Sequence, residues 1–350
     1  MDVILQPYYH WGRGHYKKYA DSLVTDGDLL ITSSLKPVTK TMIEYYLLRV
    51  LCMSICMVKL IFFYTKNRKI NTLFINEAEP ISLLFFSPFF LFRSHDISLT
   101  LHSVDKAGTN FLDSTLVFVQ RKIMFIFLRI ASCFEGVRIF VHTKTHKQMA
   151  LNKFNLASEK VFVVEYPCPP PIHLEEVGSD LLFFGAVRSD KSLGNFIESL
   201  IAYGDKGLDI YVVGKIYDDN VLRMVSNAPK FIKFVNKHVS ESELIKYANA
   251  SKFFLVPYGN DYAGGAGPIK DAASFGRPVL ATELPIFKEL SLIKNCYIKV
   301  FVDAADFYKV IHSIDCKEYN RLSRNAISYA DDNNWSNFKS KYLTAMKKVR

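Results

Sequence analysis

The stretch GNDYAGGAGPIKDAASFGRPVLATELPIFKE, residues 259–289, concentrates glycine, proline and small residues between two apolar runs. The run before it, Lys252–Tyr258, has no polar alternation, which predicts a strand buried on both faces of a parallel sheet. The run RPVLATE, which begins at Arg277, predicts a second strand of the same kind. The sequence therefore predicts a strand, a glycine turn, a helix and another strand, which is the repeating unit of an α/β fold.

The glycine turn is expected to bind a phosphate group. Gly264, Gly265 and Gly267 allow backbone conformations that other residues avoid, and they let a ligand approach closely. Pro268 suits the first turn of a helix, which is expected to stop at Gly276. The N–H groups and positive end of such a helix bind phosphate. The predicted contributors are Gly264, Gly265, Ala266, Gly267, Pro268 and Ile269.

Asp271 is expected in the first turn of that helix and has two interpretations. A carboxylate there can simply complement the helix dipole at the protein surface. Beside a phosphate site, its two oxygens can instead accept hydrogen bonds from sugar hydroxyls. The rest of the chain has to decide between the two.

The length and composition indicate two globular domains. A chain of 350 residues is longer than a domain with a single hydrophobic core usually is. Its content of 49% hydrophobic residues argues against disorder. The six cysteines form no CxxC pair and have no metal-ligand spacing with histidine, so we expect buried thiols in a reducing compartment and no metal site. The opening residues lack a secretory pattern, which indicates a cytoplasmic protein.

Two apolar stretches were considered as membrane spans. Tyr45–Tyr64 is long enough but contains Arg49 and Lys59, and residues 81–92 are too few and include Pro88. Neither is expected to cross a membrane.

Positive charge is concentrated in the N-terminal part of the chain. The net charge is +10, of which residues 1–150 carry +7 from 18 basic and 11 acidic residues. The apolar segment Leu116–Phe134 also contains Arg121, Lys122 and Arg129. Such segments either lie on an anionic membrane or are core helices with solvated charges. No nucleic-acid-binding signature accompanies the charge, so no nucleic acid partner is expected.

Short apolar runs alternate with helical segments along the whole chain, which predicts parallel sheets. Twelve strands are expected, at residues 2–6, 28–32, 71–76, 97–102, 138–142, 160–164, 180–185, 208–213, 231–235, 252–257, 277–282 and 296–300. The proline-rich residues 166–171 stiffen the chain between the two sets of six. The fold class is therefore α/β, with two Rossmann-like doubly wound domains that face each other across a cleft.

Ligands of parallel sheets gather at the carboxyl ends of strands. Several strand ends in the first half carry histidine or acidic residues, which favours a binding site there over isolated core histidines. The candidates are His10, Gly12, Arg13, Gly14 and His15 after the first strand, Glu77 and Glu79 after the third, and His102 and Asp105 after the fourth. Thr143 or Thr145, after the fifth strand, is expected to cap the next helix.

In the second half, Gly185 ends a strand, and Arg188 and Lys191 lie in the loop that opens the next helix. Two cations at that place can neutralise a diphosphate, or they can be solvated loop charges. Combined with the glycine turn and the helix start, they indicate a nucleoside diphosphate site.

Six pieces of the chain, in order, resemble the GT-B glycosyltransferases, especially the retaining family 4. They are SLTLHSVD, LLFFGAVRSDKSLGNFIESL, LDIYVVGK, KFVNKHVSESELIKYANASKFFLVPY, GGAGPIKDAASFGRPVLAT and YADDNNWSNFKSKYL. The similarity covers most of residues 95–345. It implies an N-terminal acceptor-binding domain (1–168), a C-terminal nucleotide-sugar-binding domain (169–330), and a terminal helix (331–350) that packs toward the first domain.

The resemblance implies roles for individual residues. Asp271 takes the place of a glutamate that binds ribose hydroxyls, Lys191 matches the phosphate-binding lysine, and His102 matches a histidine near the donor sugar. His238 and Val239 fall in the loop that contacts the nucleobase. Two positions depart from the family pattern, because Ala186 and Ala263 replace an arginine and a glutamate. Arg188 therefore has to substitute for the arginine.

The expected function is transfer of a sugar from a nucleoside diphosphate sugar to a glycan or polyprenyl-linked acceptor, without metal or other cofactor. His102, Lys191 and Arg188 are the expected catalytic residues. The resemblance allows bacterial surface polysaccharide synthesis, such as lipopolysaccharide O-antigen, by a cytoplasmic protein that is peripheral on the inner face of the membrane. The alternatives are an inverting transferase that uses a base from the first domain, and a two-domain sugar-binding protein without catalysis.

Overall fold

Both predicted sets of strands form sheets. The computed structural model describes residues 1–11, 16–37, 41–66, 69–91, 95–104, 111–174, 178, 180–204, 207–260, 262, 264–265 and 267–347. The twelve strands are β1 (Val3–Leu5), β2 (Leu29–Ile31), β3 (Thr72–Ile75), β4 (Asp96–Thr100), β5 (Val137–Val141), β6 (Val161–Val163), β7 (Asp180–Phe184), β8 (Ile210–Val213), β9 (Ile232–Val235), β10 (Ser251–Val256), β11 (Val279–Thr282) and β12 (Ile298–Phe301). All twelve strand predictions are confirmed, with bounds that differ by one or two residues.

The strands pair in parallel in two six-stranded sheets. The first has the order β2-β1-β3-β4-β5-β6, and the second has the order β12-β11-β10-β7-β8-β9. In each sheet the chain enters at an interior strand, β1 or β7, and the strand order changes direction once. The switch points therefore lie at the carboxyl ends of β1 and β3 in the first sheet and of β7 and β10 in the second. The predicted α/β class with two doubly wound Rossmann-like sheets is confirmed.

Helices connect the strands. They are α1 (Tyr16–Leu23), α2 (Met42–Thr65), α3 (Pro80–Phe86), α4 (Phe111–Ser132), α5 (Lys144–Phe154), α6 (Leu193–Tyr203), α7 (Asp219–Met224), α8 (Glu241–Ala250), α9 (Gly267–Ser274), α10 (Pro285–Ser291), α11 (Ala304–Ser313), α12 (Cys316–Asp332) and α13 (Trp335–Lys347). Side-chain caps define several starts. Thr143 Oγ1 accepts from His146 N at 3.0 Å, so Thr143, rather than Thr145, caps α5.

The chain divides into two compact units. The first contains Met1–Tyr166 and Trp335–Arg350, and the second contains Pro167–Asn334. The first unit is therefore built from both ends of the chain, while the second is one continuous segment.

The terminal helix α13 covers one face of the first sheet. The ring of Tyr342 stacks on Phe140 with centroids 4.0 Å apart, and its hydroxyl lies 2.6 Å from Ser98 Oγ and 2.7 Å from Thr100 Oγ1. Lys339 Nζ lies 2.6 Å from Asp28 Oδ2. The aromatic rings of α13 thus complete a core that Ile4 and the rest of the first unit leave open on that side.

The other face of the first sheet is covered by α2, α3, α4 and α5. Helix α2 packs on the sheet through residues that include Cys52, Cys56 and Leu60. Its segment Ile43–Thr65 has a mean hydropathy of 2.0 over the best window, 28% of which is buried, so by length and composition it could cross a membrane. Arg49 and Lys59 do not lower the hydropathy of this helix below that of a span, but one such helix is weak support for a span because core helices of soluble proteins have the same length and composition.

All six cysteines are free thiols. Cys52, Cys56 and Cys168 are buried as expected, whereas Cys133 and Cys316 are exposed and Cys296 is half-buried. The expectation that all six are buried is wrong because Cys133 directly follows α4 and Cys316 is the first residue of α12, and both helix ends are exposed to solvent.

Candidate functional site

In the second unit, two glycines lie at the carboxyl ends of neighbouring strands. Gly185 follows β7 with φ +112°, and Gly214 follows β8 with φ +149°. A Cβ on Gly214 would lie 2.1 Å from the carbonyl oxygen of Gly185, so a side chain cannot fit there. Both backbones occupy conformations that other residues rarely adopt. The two strand ends can therefore approach each other and a ligand closely.

Lys191 and Pro268 meet at Gly185. A Cβ on Gly185 would lie 3.3 Å from Lys191 Nζ and 3.6 Å from Pro268 Cγ. The three residues come from the end of β7, the turn before α6 and the first turn of α9. The structure thus brings together a glycine strand end, a cation and a helix start.

Lys191 is not a solvated loop lysine, because only 6% of it is exposed. Its Nζ lies 5.0 Å from the ring centroid of Tyr258 and 5.4 Å from that of Phe183. The quadrupoles of these rings attract the ammonium group, and burial strengthens its field on a nearby anion. The interpretation as a merely solvated charge is excluded by this position.

The glycine turn leads into α9, which begins at Gly267. Within the described part of the chain, no atom lies within 4 Å of a Cβ built on Gly265 or on Gly267, so these backbones border open space. Ile269 differs, since its side chain is completely buried and its carbonyl accepts from Tyr297 OH at 3.2 Å. Only its backbone N–H is suited to a ligand. Ala266 and Ala263 lie outside the described residues.

Asp271 is the fifth residue of α9, half-buried, and the first turn of this helix contains no acidic residue. The predicted place in the first turn is therefore wrong by one residue, because the helix starts at Gly267. A carboxylate beyond the first turn gains little from the helix dipole. The ligand-binding interpretation becomes the stronger one.

The remaining predicted donor residues lie further from this point. Arg188 is exposed and precedes the 3₁₀ turn Ser189–Lys191. His238 is exposed, with Nε2 3.4 Å from Tyr217 OH, and the half-buried Val239 packs against the core. Lys191 N donates to the carbonyl oxygen of Arg188 at 3.0 Å, which is a backbone contact and does not involve the guanidinium group. The donor-binding roles of Arg188, His238 and Val239 therefore stay predictions.

In the first unit, a hydrogen-bonded chain starts at the end of β5. His142 is buried, its Nδ1 lies 3.0 Å from the carbonyl oxygen of Val164, and its Nε2 lies 2.9 Å from His102 Nδ1. A carbonyl only accepts, so His142 carries its proton on Nδ1 and its Nε2 accepts from His102 Nδ1–H. His102 Nε2 then points to Glu77 Oε1 at 3.4 Å.

Glu79 is occupied by other groups. It forms an ion pair with Arg49 and accepts from Tyr8 OH, while Arg49 Nε donates to Tyr8 OH at 3.0 Å. Burial raises the pKa of Tyr8. A carboxylate neutralised in this way is a poor general base, which leaves Glu77 as the better candidate of the two.

The other predicted residues of the first unit are less informative. His10 is exposed in a 3₁₀ turn, Tyr9–Trp11. Gly12, Arg13, Gly14, His15 and Asp105 lie outside the described residues.

Sequence reasoning missed two buried amides at the same sheet edge. Gln6 follows β1 and Asn76 follows β3, and both are completely buried. Within the described ranges, no side-chain nitrogen or oxygen of either residue has a hydrogen-bond partner. Buried amides without partners are costly, so they mark this edge as polar. The signal was available, since each amide directly follows a predicted apolar strand.

Among the described residues, no group of three or more histidine, cysteine, aspartate or glutamate side chains is arranged to hold a metal ion.

Comparisons with solved structures give the fold its name. Sucrose-phosphate synthase from Thermosynechococcus elongatus is similar with a TM-score of 0.71 at 12% identity, over 100% of this chain and 99% of that one. The fold is GT-B. Anabaena HepE in complex with UDP has a TM-score of 0.66 at 10% identity, over 99% of this chain and 100% of that one.

TarM is also similar, with a TM-score of 0.59 at 12% identity over 85% of this chain. The chain spans 58% of the length of TarM. No family model matches the sequence, and no curated protein matches it. At these identities the similarities describe the GT-B fold alone.

Proposed function

We propose that the protein is a glycosyltransferase that moves a sugar from a nucleoside diphosphate sugar to a glycan or lipid-linked acceptor. One observation supports this most: Lys191 Nζ, Pro268 at the start of α9 and the positive-φ backbone of Gly185 converge at the carboxyl edge of the second sheet. A cation and a helix start beside an uncrowded backbone are suited to a diphosphate.

The proposed reaction breaks the bond between the anomeric carbon and the diphosphate oxygen, and forms a bond between that carbon and an acceptor oxygen. The departing diphosphate takes the electron pair of the broken bond, and one of its phosphate oxygens takes the proton that the acceptor hydroxyl loses. Lys191 and the N–H groups from Gly265 to Ile269 stabilise the negative charge as it develops. Arg188 is proposed to add a second cation. The ammonium group and helix start supply this stabilisation without a metal.

Asp271 is proposed to bind the ribose hydroxyls of the donor. His238 and Val239 are proposed to contact its nucleobase. HepE has been crystallised with UDP and with UDP-glucose, and starch synthase IV from Arabidopsis thaliana with ADP and acarbose. These neighbours support a nucleoside diphosphate hexose as the donor class for this chain.

The first unit is proposed to bind the acceptor. His102, Glu77, Gln6 and Asn76 gather polar groups at the carboxyl edge of its sheet. TarM has been crystallised with fondaparinux, α-GlcNAc-glycerol and UDP, so a protein of this fold can hold glycan-type molecules. Bacterial surface polysaccharide synthesis on a polyprenyl-linked acceptor, on the cytoplasmic side of a membrane, is the proposed setting.

An inverting mechanism is the second candidate, and the Glu77–His102 contact favours it. A histidine whose Nδ1–H is held by His142 can take a proton on Nε2, with the carboxylate 3.4 Å away to stabilise the imidazolium. A sugar-binding protein without catalysis is the alternative of another class.

A single experiment tests the proposal. The full chain is incubated with each of a panel of nucleoside diphosphate sugars, and release of the free nucleotide is measured with and without polyprenyl-linked or soluble glycan acceptors. Acceptor-dependent release from one donor supports transfer, and the anomeric configuration of its product by NMR separates retention from inversion. Donor binding without release would identify a binding protein, and no binding to any donor would contradict the proposal.

A further inference from the structure

The outward side of α2 carries large apolar side chains that the core does not use. They recur every three or four residues along the helix, so they form one stripe. The stripe residues, each 40–71% exposed, are Ile43, Leu47, Val50, Leu51, Val58, Ile61 and Phe62. A surface of this extent normally marks an interaction site.

Helices α3 and α4 continue the surface. Helix α3 packs against both α2 and α4, and Gln120 Nε2 of α4 donates to Tyr46 OH of α2 at 3.1 Å. Exposed apolar residues also occur there, namely Leu84, Leu91, Phe118, Val119, Ile126 and Ile130. The exposed apolar residues of Ile43–Phe62, Leu84–Leu91 and Phe118–Ile130 together are called the apolar face below.

Cations lie beside aromatic rings of α2 and α4 in a repeated arrangement. Lys66 Nζ lies 4.4 Å from the ring centroid of Phe62, Lys122 Nζ lies 5.4 Å from that of Phe118, and Arg129 Cζ lies 5.6 Å from that of Phe125. Each cation follows its ring by four residues, so ring and charge share one helix face. Residues 42–66, 79–91 and 111–132 contain six basic and three acidic residues, a net charge of +3 that includes Glu79, the ion-pair partner of Arg49.

We propose that the apolar face binds the surface of an anionic phospholipid bilayer. Aliphatic and aromatic side chains on one side of a helix enter the boundary between headgroups and acyl chains, and neighbouring lysine and arginine residues bind lipid phosphates. Both features occur on the same helices of this unit.

The protein lies on the bilayer rather than crossing it. The side of α2 opposite the stripe is part of the core through Cys52, Met53, Cys56 and Leu60. Arg49 from the same helix forms an ion pair with Glu79, and only 13% of the arginine side chain is exposed. A spanning α2 would lose this core and leave the carboxylate without its cation.

Charge argues against a second copy of the chain as the occupant. Two copies that meet through the same face would bring two surfaces of net charge +3 together, and such like-charge contacts are unfavourable. A bilayer with anionic headgroups has the complementary sign.

The inference goes beyond the proposed transfer reaction, and its test uses no catalytic readout. The full chain is sedimented with vesicles of phosphatidylcholine alone or with about one third phosphatidylglycerol, at about 0.05 M and about 0.5 M salt. Binding is expected to rise with the anionic lipid and to fall with salt. Alkaline carbonate is expected to extract the bound protein.

Two variant pairs locate the surface. Lys66→Gln, Lys122→Gln and Arg129→Gln together should lower partitioning about 100-fold, since each basic residue near an anionic surface contributes about fivefold. The matched triple Lys230→Gln, Lys309→Gln and Lys317→Gln, at exposed sites of the second unit, should lower it much less. Phe62→Ser with Phe118→Ser should weaken binding even at low salt, whereas Leu292→Ser with Val302→Ser, also exposed, should not.

Several results would overturn the proposal. They are negligible or equal binding to neutral and anionic vesicles at low salt, equal losses in the matched variants, resistance to carbonate extraction, and a dimer in light scattering that the Phe62→Ser and Phe118→Ser changes dissociate. Binding of the sugar donor, measured by calorimetry on the same preparation, does not depend on binding to vesicles. Failure of the surface proposal is therefore distinguishable from failure of the proposed reaction.

Discussion

Lys191 is a buried lysine whose ammonium group lies at the backbone of Gly185, beside the start of α9. The second unit offers a natural comparison, because Lys270 is equally buried but donates to Tyr329 OH. Two lysines with similar burial thus face different partners. One contacts the edge where a ligand can bind, and the other contacts a core tyrosine.

We expect Lys191→Met to lower kcat about 100-fold or more, because a preorganised group that stabilises developing charge contributes on that scale. Methionine fills the space over Phe183 and Tyr258, so the melting temperature should change little. Turnover at saturating donor and thermal unfolding are measured together. Lys270→Met is the control, expected to lower stability more than turnover. Turnover within about twofold of wild type would assign the role to Arg188 or to backbone groups.

Asp271→Asn should weaken binding of the nucleoside diphosphate about 10- to 100-fold, since hydrogen bonds to a charged acceptor contribute about 1.5–3 kcal/mol. Isothermal titration calorimetry with the free diphosphate measures the change. Asp271→Glu, which keeps the carboxylate, should restore most of the affinity. Equal affinity in all three proteins would contradict the ribose assignment.

We expect His142→Phe to let His102 adopt either of its neutral tautomers. In the wild-type protein we expect the ¹⁵N shifts of His102 to report a proton on Nδ1, because His142 Nε2 accepts it at 2.9 Å. Phenylalanine keeps the ring volume but accepts no hydrogen bond. Mixed tautomers of His102 are then expected. The pH dependence of turnover should change, while the melting temperature should stay nearly the same. An unchanged ¹⁵N pattern would show that His142 only fills space.

At the level of elements, an ion pair as well as aromatic rings hold α13 to the first unit. The side chains of Lys339 and Asp28 are 13% and 8% exposed, and Lys339 Nζ also contacts Thr25 Oγ1 at 2.9 Å. Burial acts to raise the pKa of Asp28, but hydrogen bonds from Lys339 and Thr25 outweigh it and hold the pKa below its usual value.

Lys339→Met should therefore lower the free energy of unfolding by roughly 1–3 kcal/mol at neutral pH, because it leaves Asp28 buried without its cation. A lowered pKa stabilises the fold above the unfolded pKa of about 3.9, and this contribution is lost as pH falls through the folded value. The difference between variant and wild type should accordingly shrink near pH 3. Urea titrations at both pH values measure it, with the exposed Lys341→Met as the control.

The strands were predictable from sequence because parallel strands are continuous apolar runs, and all twelve were found on that basis. The burial and hydrogen bonds of side chains that lie between elements distant in sequence were not predictable in this way. The burial of Lys191 depends on Tyr258, which is 67 residues away in the chain. The His142–His102 contact joins two strand ends, and its hydrogen bond is defined only by their register.

At the level of the whole molecule, the first unit needs both ends of the chain. Phe338, Tyr342 and Met346 of α13 are buried in the same cluster as Ile4 and Phe74. Helix α13, residues 335–347, is therefore part of the folded core of that unit.

Deletion of residues 335–350 should abolish the cooperative unfolding of the first unit and expose its sheet to a hydrophobic dye. Affinity for the nucleoside diphosphate should be retained, since Gly185, Lys191 and Asp271 belong to the second unit. Calorimetric unfolding, dye fluorescence and ligand titration check these outcomes. Removal of residues 348–350 alone is the control. If the truncated chain unfolds like the wild type, α13 does not contribute to the stability of the first unit.

The late arrival of α13 matters during synthesis. A ribosome that has finished Tyr166 must still translate the 168 residues Pro167–Asn334 before the helix emerges. At about 5–20 residues per second this takes roughly 10–30 s. Throughout that interval the nascent chain presents the bare aromatic face of Phe74 and Phe140, a ready target for chaperones that bind hydrophobic segments. The first part of the protein to be made is thus the last to finish folding.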